Sequence, residues 1–97
     1  MIVLIAQHFA QEGKDDEVAE YLRQMSDYCN SDAEQGCLMY IVNRNTDNPR
    51  HFLIYEQYAD QAALEAHAET PMFKETLLGK EIPLLESRER SFWRVVE

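Results

Sequence analysis

Several residue types are scarce in this chain, and each scarcity limits what the protein can be. Its 97 residues include three glycines, three prolines, two cysteines and one tryptophan. Cys29 and Cys37 lack the paired spacing of a zinc site, so we expect free buried thiols and no metal. No apolar run is long enough to cross a bilayer. The short apolar start has no basic flank, which indicates a strand rather than a signal peptide and favours a cytoplasmic protein.

Positive charge is also scarce. The chain has 9 lysines and arginines against 18 aspartates and glutamates, a formal net charge of −9. Such a surface repels phosphate backbones and anionic lipid headgroups, so we expect neither nucleic acid nor a membrane as a partner. The sequence also contains no phosphate loop, nucleophile elbow or dinucleotide fingerprint.

The order of the apolar patterns predicts one α+β domain over residues 1–97. Strands are predicted over residues 2–9, 37–44, 50–58 and 90–96. Helices are predicted over residues 15–31, from Asp60 onward, and over 71–78, where Gly79 would end the last one. The resulting β-α-β-β-α-β order is that of the ferredoxin-like fold, with one antiparallel sheet and helices on one face.

The predicted strands lack the alternation expected of a sheet with one solvated face. Residues 2–5, 38–42 and 52–55 are almost continuously apolar. Because the chain has helices for only one face, the other face would need cover from another chain. This predicts a homodimer through the open sheet face, a dimeric α/β-barrel-type assembly. The alternative is that strand propensity alone explains the β-branched runs.

A histidine on the inner side of the second predicted helix is the first candidate site residue. His67 lies three residues after Leu64, at helical spacing. Glu56 and Tyr58 share one face of the third strand, directly before that helix. If the helix covers this face, Glu56 lies near His67, fixes its tautomer and favours its charged form for proton transfer. His8 on the first strand can share the same face.

These residues predict a pocket between the sheet and the helices, with apolar walls and a few polar groups. Its substrate-binding residues would be Tyr58, His8, Ile54, Leu64 and Phe73. Each polar residue also has an ordinary structural role. An inward histidine is more often a core residue, a strand-end Glu56 is often solvated, and Tyr58 can pack its ring and leave its hydroxyl in water.

Four segments resemble antibiotic biosynthesis monooxygenases, a family of small dimeric ferredoxin-like proteins. They are EGKDDEVAEYLRQM, EQGCLMYIVNR, HFLIYEQYADQAALEAHAETPMFKE and the closing VVE. Quinol monooxygenases of this family use no metal, flavin or haem, because their aromatic substrate supplies electrons to oxygen after deprotonation. The resemblance therefore implies a homodimer without a cofactor. It places the family's histidine and glutamate at His67 and Glu56, the candidate catalytic residues.

The sequence departs from the family at Tyr58, where a tryptophan is common. The same YE-x-Y arrangement also resembles the autoinducer-2 phosphosugar isomerase branch, which moves protons next to carbonyls without oxygen. The haem-degrading branch has asparagine, tryptophan and histidine at positions that align with Ala6, His67 and Leu77, so haem degradation is not implied. Three functions remain: a cofactor-free monooxygenase of a hydroquinone or phenol, a proton-transfer isomerase of a small carbonyl or phosphosugar compound, and a non-catalytic ligand-binding module.

Overall fold

The computed structural model describes residues 1–97 as a four-stranded antiparallel sheet with helices on one face. The strands are β1 (Ile2–Ala10), β2 (Cys37–Arg44), β3 (His51–Tyr58) and β4 (Leu85–Arg94). The helices are α1 (Asp15–Cys29), α2 (Gln61–Glu69) and a π-helix (Met72–Glu81), with 3-10 turns at Asp32–Glu34 and Ile82–Leu84. The strand order in the sheet is β2-β3-β1-β4. This confirms the predicted ferredoxin-like β-α-β-β-α-β order.

Local chemistry explains where the two α-helices begin and end. Asp60 caps α2, because its side chain accepts a hydrogen bond from the backbone N–H of Ala63. Acidic residues fill the first turn of α1, where the helix dipole favours them. Helix α1 ends two residues earlier than predicted, because Asn30 and Ser31 bind backbone carbonyls through their side chains. No helix in the chain has the length and apolar character of a membrane span.

The segment after α2 differs from the prediction. The helix expected to end at Gly79 continues as a π-helix to Glu81. Strand β4 begins at Leu85, not at residue 90, and ends at Arg94. It pairs along the whole of β1, from Ala10 opposite Leu85 to Ile2 opposite Arg94. As an edge strand with exposed, charged side chains, β4 lacks the apolar run by which the other strands were recognised.

The face of the sheet without helices is apolar. Ile41, Leu53 and Trp93 point to this face and are 46%, 36% and 57% exposed. The opposite face alternates with it along β3, where Phe52, Ile54, Glu56 and Tyr58 are all buried. The strands thus have two apolar faces, as their sequence indicates, and helices cover one of them.

Gly36 sets how closely α2 approaches the start of β2. A Cβ at this position would lie 2.6 Å from the Cβ of Ala63 on α2, closer than non-bonded carbons come. The carbonyl of Gly36 also accepts a hydrogen bond from the backbone N–H of Ala59, just before α2. The glycine therefore helps to position the helix that carries His67.

We expect Gly36→Ala to lower the free energy of unfolding by about 1–3 kcal/mol, the usual range for overpacking, because the methyl group would displace α2. Gly79→Ala is the matched control, since the nearest atom to its Cβ would be the backbone oxygen of Lys74 at 3.4 Å. Alanine also favours a helix, so this control should be neutral or stabilising. Urea unfolding measures both variants. Wild-type stability in Gly36→Ala would contradict the close approach.

Candidate functional site

The inner face of the sheet and α2 bring the predicted polar residues together. His8, Glu56 and His67 are 3%, 4% and 3% exposed. The last turn of α2 lies over β3, where the ring centroids of His67 and Tyr58 are 5.2 Å apart. The alternation of β1 and β3 therefore places His8, Glu56 and Tyr58 on the side that faces His67.

His67 lies between two buried carboxylates. Its Nδ1 is 2.6 Å from Oε1 of Glu34, and its Nε2 is 3.7 Å from Oε1 of Glu56. An ionised carboxylate only accepts hydrogen bonds, so Nδ1 of His67 donates its proton to Glu34. This contact fixes the tautomer and leaves the lone pair of Nε2 on the side of Glu56.

Glu56 is held by Tyr58 and not by the histidine. The hydroxyl of Tyr58 donates to Oε1 of Glu56 at 2.6 Å, whereas Nε2 of His67 lies beyond hydrogen-bond distance. Burial raises the pKa of Glu56, although the hydrogen bond from Tyr58 and the charge of His67 oppose this shift. Burial and the nearby carboxylate also raise the pKa of Tyr58, which therefore remains a donor.

A second buried pair lies beside the first. Nδ1 of His8 is 2.9 Å from Oε2 of Glu81, which is fully buried at the end of the π-helix. Sequence reasoning missed both Glu34 and Glu81. Neither follows the apolar period of a predicted element: Glu34 lies in a short turn, and Glu81 lies beyond the expected end of the helix. Their burial in a strongly acidic chain is visible only in three dimensions.

A small cavity lies between the sheet and the π-helix. Its volume is about 20 Å³, enough for one water molecule. Its polar lining consists of His8, Tyr40, Glu56, His67, Arg88 and Arg90, and its apolar lining includes Ala6, Ile54, Phe73 and Leu77. A ligand larger than water would have to displace side chains, of which Phe73 and Leu77 lie on the π-helix. π-Helical turns are rare in proteins, and those that occur often lie at functional sites.

Two predicted pocket residues do not line this cavity. Leu64 instead borders an open groove of about 420 Å³ beside Ile2 and Phe92, because the first turn of α2 lies next to the start of β1 and the end of β4. Tyr58 is fully buried and reaches the site through its hydrogen bond to Glu56. The other predicted residues, His8, Ile54 and Phe73, do line the cavity with His67 and Glu56.

A cysteine lies next to the first histidine–glutamate pair. Cys29 Sγ is 3.8 Å from Nδ1 of His67, and ligand atoms of Cys29, Glu34 and His67 lie within 4.8 Å of one another. The hydrogen bond with Cys37, together with burial, raises the pKa of the Cys29 thiol and disfavours a thiolate. The 2.6 Å contact of Glu34 with His67 is shorter than the separation of roughly 3.3 Å between two tetrahedral zinc ligands. It is a hydrogen bond, not a preformed zinc site.

The fold that carries this site matches proteins of known structure. The sequence profile of the antibiotic biosynthesis monooxygenase family matches residues 1–77, and the chain belongs to this family. A crystal structure of an antibiotic biosynthesis monooxygenase is 26% identical, with a TM-score of 0.89 over 100% of both chains. A Pseudomonas aeruginosa protein is 27% identical, with a TM-score of 0.90 over 99% of this chain and 94% of its own.

Solved structures with lower sequence identity show similarity of the fold alone. A Nitrosomonas europaea protein is 21% identical, with a TM-score of 0.91 over 100% of both chains. No curated protein matches this sequence. The family assignment therefore comes from the sequence profile, and the solved structures support it.

Glu56→Gln should change how stability depends on pH. Burial raises the pKa of Glu56 above its ordinary value of 4.5, so the folded chain keeps this proton to higher pH than the unfolded chain. Between these two pKa values the folded state binds more protons, and the free energy of unfolding falls as pH rises. Glutamine cannot ionise, yet it still accepts a hydrogen bond from Tyr58. The stability of Glu56→Gln relative to wild type should therefore increase from about pH 4 to about pH 7.

Urea unfolding at both pH values measures this difference. Glu65→Gln is the matched control, because Glu65 is exposed on α2, away from the helix-free face, and should show no such trend. A difference between Glu56→Gln and wild type that stays constant with pH would contradict the effect of burial on Glu56.

Proposed function

We propose that this protein is a cofactor-free monooxygenase that oxidises a small electron-rich aromatic, a hydroquinone or phenol, in the cavity at His67. Membership of the antibiotic biosynthesis monooxygenase family supports the reaction class. The observation that carries the proposal is the geometry of His67, whose Nδ1 is bound to a buried carboxylate while the ring lines the cavity. This is the arrangement of a general base that a second residue orients.

Proton abstraction is the first step of the proposed reaction. Because Nδ1 of His67 donates to Glu34, the lone pair of Nε2 is free to accept the phenolic proton of the substrate. The resulting phenolate is electron-rich and donates electrons to oxygen. For a hydroquinone, one oxygen atom enters the ring, the other leaves as water, and the product is a hydroxyquinone. The substrate supplies all four electrons, so the reaction needs no external reductant.

The remaining residues of the cavity have supporting roles in this proposal. Glu56, held by Tyr58, lies 3.7 Å from Nε2 of His67 and stabilises the imidazolium that forms on proton transfer. The aromatic ring of the substrate would contact Ile54 and Phe73, which line the cavity. Since the cavity is about 20 Å³, binding requires Phe73 and its neighbours on the π-helix to move aside. His8, paired with Glu81, presents a second polar group to the substrate.

Proton transfer on a small carbonyl or phosphosugar compound is the second candidate function. The tyrosine at position 58, where the family commonly has tryptophan, favours it, and the pair of His67 and Glu56 can move protons without oxygen. A screen of hydroquinones and phosphosugars with an oxygen electrode separates the two. Oxygen uptake with substrate supports the monooxygenase, and turnover without uptake supports the isomerase. Binding without any turnover identifies a ligand-binding module, and a chelator in parallel samples tests whether metal contributes.

His67→Gln should lower kcat/KM by about 10²–10⁴-fold, the usual contribution of a general base. Glutamine retains a donor for Glu34 and does not leave that buried carboxylate unpaired, as His67→Ala would. The melting temperature should therefore change little in His67→Gln. His51→Gln is the control, since His51 is bound to Gln7 on the opposite face of the sheet. An unchanged kcat/KM in His67→Gln would end the catalytic assignment.

The double variant His67→Gln/Glu56→Gln should be little slower than His67→Gln alone. In the proposed mechanism Glu56 acts on the charge that His67 acquires, so its contribution disappears with the histidine. Steady-state kinetics on both single variants and the double variant measure the coupling. Losses that multiply independently would show that Glu56 acts on the substrate without His67.

We also propose that a second copy of this chain covers the helix-free face of the sheet. Large apolar side chains, including Ile41, Leu53 and Trp93, are exposed on this face. Burying such side chains against a second sheet is favourable, by about 25 cal/mol for each Å² of apolar surface. Exposed apolar surface of this kind marks protein–protein contacts in many proteins.

Ile5→Asp should therefore prevent dimer formation. Ile5 points to the helix-free face from the middle of β1, where an unpaired charge in the interface would be costly. Sedimentation at micromolar concentration should show a dimer for the wild type and a monomer or unfolded chain for this variant. Thr46→Asp, in the exposed loop before β3, should remain dimeric. A wild-type monomer at that concentration would rule out the assembly.

A further inference from the structure

Three arginines lie on one side of β4, next to the candidate site. The pairing of β4 with β1 places Arg88 opposite His8 and Arg90 opposite Ala6, and Arg94 continues the same face. Their side chains are exposed because β4 is the edge strand and the helices do not extend over it. Arg88 and Arg90 line the cavity that contains His67, and we call these two residues the arginine pair.

These arginines form no ion pair, although the chain has twice as many acidic as basic residues. Five of the six other lysines and arginines pair with aspartate or glutamate: Lys14, Arg23, Arg44, Arg50 and Lys74. The neighbouring Glu86 on β4 pairs with Arg50 and not with the arginine pair. The guanidinium of Arg90 lies 5.7 Å from the ring centre of Phe92. Two unpaired guanidiniums at a cavity in so acidic a chain are available to an external anion.

The cavity is thus polarised from one end to the other. Its inner end has the buried carboxylate of Glu56 beside His67, and its mouth has the arginine pair. A guanidinium binds carboxylate or phosphate through two parallel hydrogen bonds, a geometry that suits Arg88 and Arg90. An anionic group would be repelled by the inner end and attracted by the mouth. A neutral hydroxyl that can lose a proton suits the inner end.

The spacing of the strands gives the length of this arrangement. Strand β1 lies between β3 and β4, and its pairing places Arg90 across from Ile54, two residues along β3 from Glu56. The backbones at Glu56 and Arg90 are therefore about 12 Å apart, two strand spacings across the sheet and two residues along it. The floor between them consists of Leu4, opposite Glu56, and Ala6, opposite Arg90, whose methyl group occupies little of that space. Because the side chains of Glu56 and Arg90 extend toward each other, the space between them suits one aromatic ring with an anionic substituent.

We propose that the ligand of this cavity is an anionic aromatic whose carboxylate or phosphate binds the arginine pair while its hydroxyl points to His67. The placement of the hydroxyl at His67 rests on the proposed function, whereas the binding of the anionic group depends only on the arginine pair. The positive mouth also draws an anion through the negative field of the rest of the protein. An uncharged hydroquinone would lack the outer contact.

Isothermal titration calorimetry tests this proposal without turnover. The probes are hydroquinone, gentisate, which adds a carboxylate, and hydroquinone monophosphate. The wild type should bind one or both anionic probes at least about tenfold more tightly than hydroquinone. The double variant Arg88→Gln/Arg90→Gln should lose about 10–100-fold in affinity for the anionic probes and keep its affinity for hydroquinone. The ratio of the two anionic affinities identifies the preferred group.

Arg94→Gln is the matched control, since Arg94 lies on the same face of β4 but borders the separate groove at Leu64. It should bind all three probes as the wild type does. Equal wild-type affinity for charged and uncharged probes would overturn the proposal, as would anionic binding that survives in the double variant. So would the absence of binding by both anionic probes.

Oxygen uptake by the same variants separates this proposal from the proposed function. Arginine-dependent binding without oxygen uptake would retain the anion site and reject the monooxygenase. Oxygen uptake that depends on His67 but not on the arginine pair would retain the monooxygenase and reject the anion site.

Discussion

The hydrogen bond between His67 and Glu34 is the contact on which the rest of the site depends. It joins α2 to the turn after α1, two segments that no strand pairing holds together. Both groups are buried, where an unpaired polar group is costly, so the contact fixes the orientation of the imidazole and the position of the helix together. Gly36 makes this possible, because it lets α2 lie close to the start of β2.

The site is an extension of the hydrophobic core rather than a separate cleft. The same alternation that buries Phe52 and Ile54 on β3 also buries Glu56 and Tyr58. Polar groups in such a place pair with one another, as His67 with Glu34, His8 with Glu81, and Tyr58 with Glu56. One oxygen each of Glu34 and Glu81, Oε2 and Oε1 respectively, is buried without a partner. Core-like packing explains why the cavity is small. Access to it depends on the π-helix, the layer that covers it.

Local patterns in the sequence predict the features that depend on local physics. The bounds of β2 follow from its apolar run, the start of α2 follows from the Asp60 cap, and the shared face of Glu56 and Tyr58 follows from the two-residue repeat of a strand. Contacts between segments that are distant in the sequence leave no periodic pattern, so the sequence does not reveal Glu34 and Glu81 as partners of the two histidines. Leu64 borders the groove at Ile2 and not the cavity at His67, because the direction in which α2 crosses the sheet depends on packing. The polar edge strand β4 was predicted too short, and with it the arginine pair was overlooked.

In the proposed binding mode, the distribution of charge at the cavity also decides how the ligand is oriented. Glu56 beside His67 excludes an anionic group from the inner end, because burying a second negative charge there would be costly. The arginine pair attracts such a group at the mouth. For the proposed anionic aromatic, repulsion inside and attraction outside thus favour the same orientation, with its hydroxyl next to Nε2 of His67. Charge alone would then distinguish the anionic end of the ligand from its hydroxyl end, so a close steric fit is not required. This is consistent with a cavity whose covering residues must move before an aromatic ring can enter.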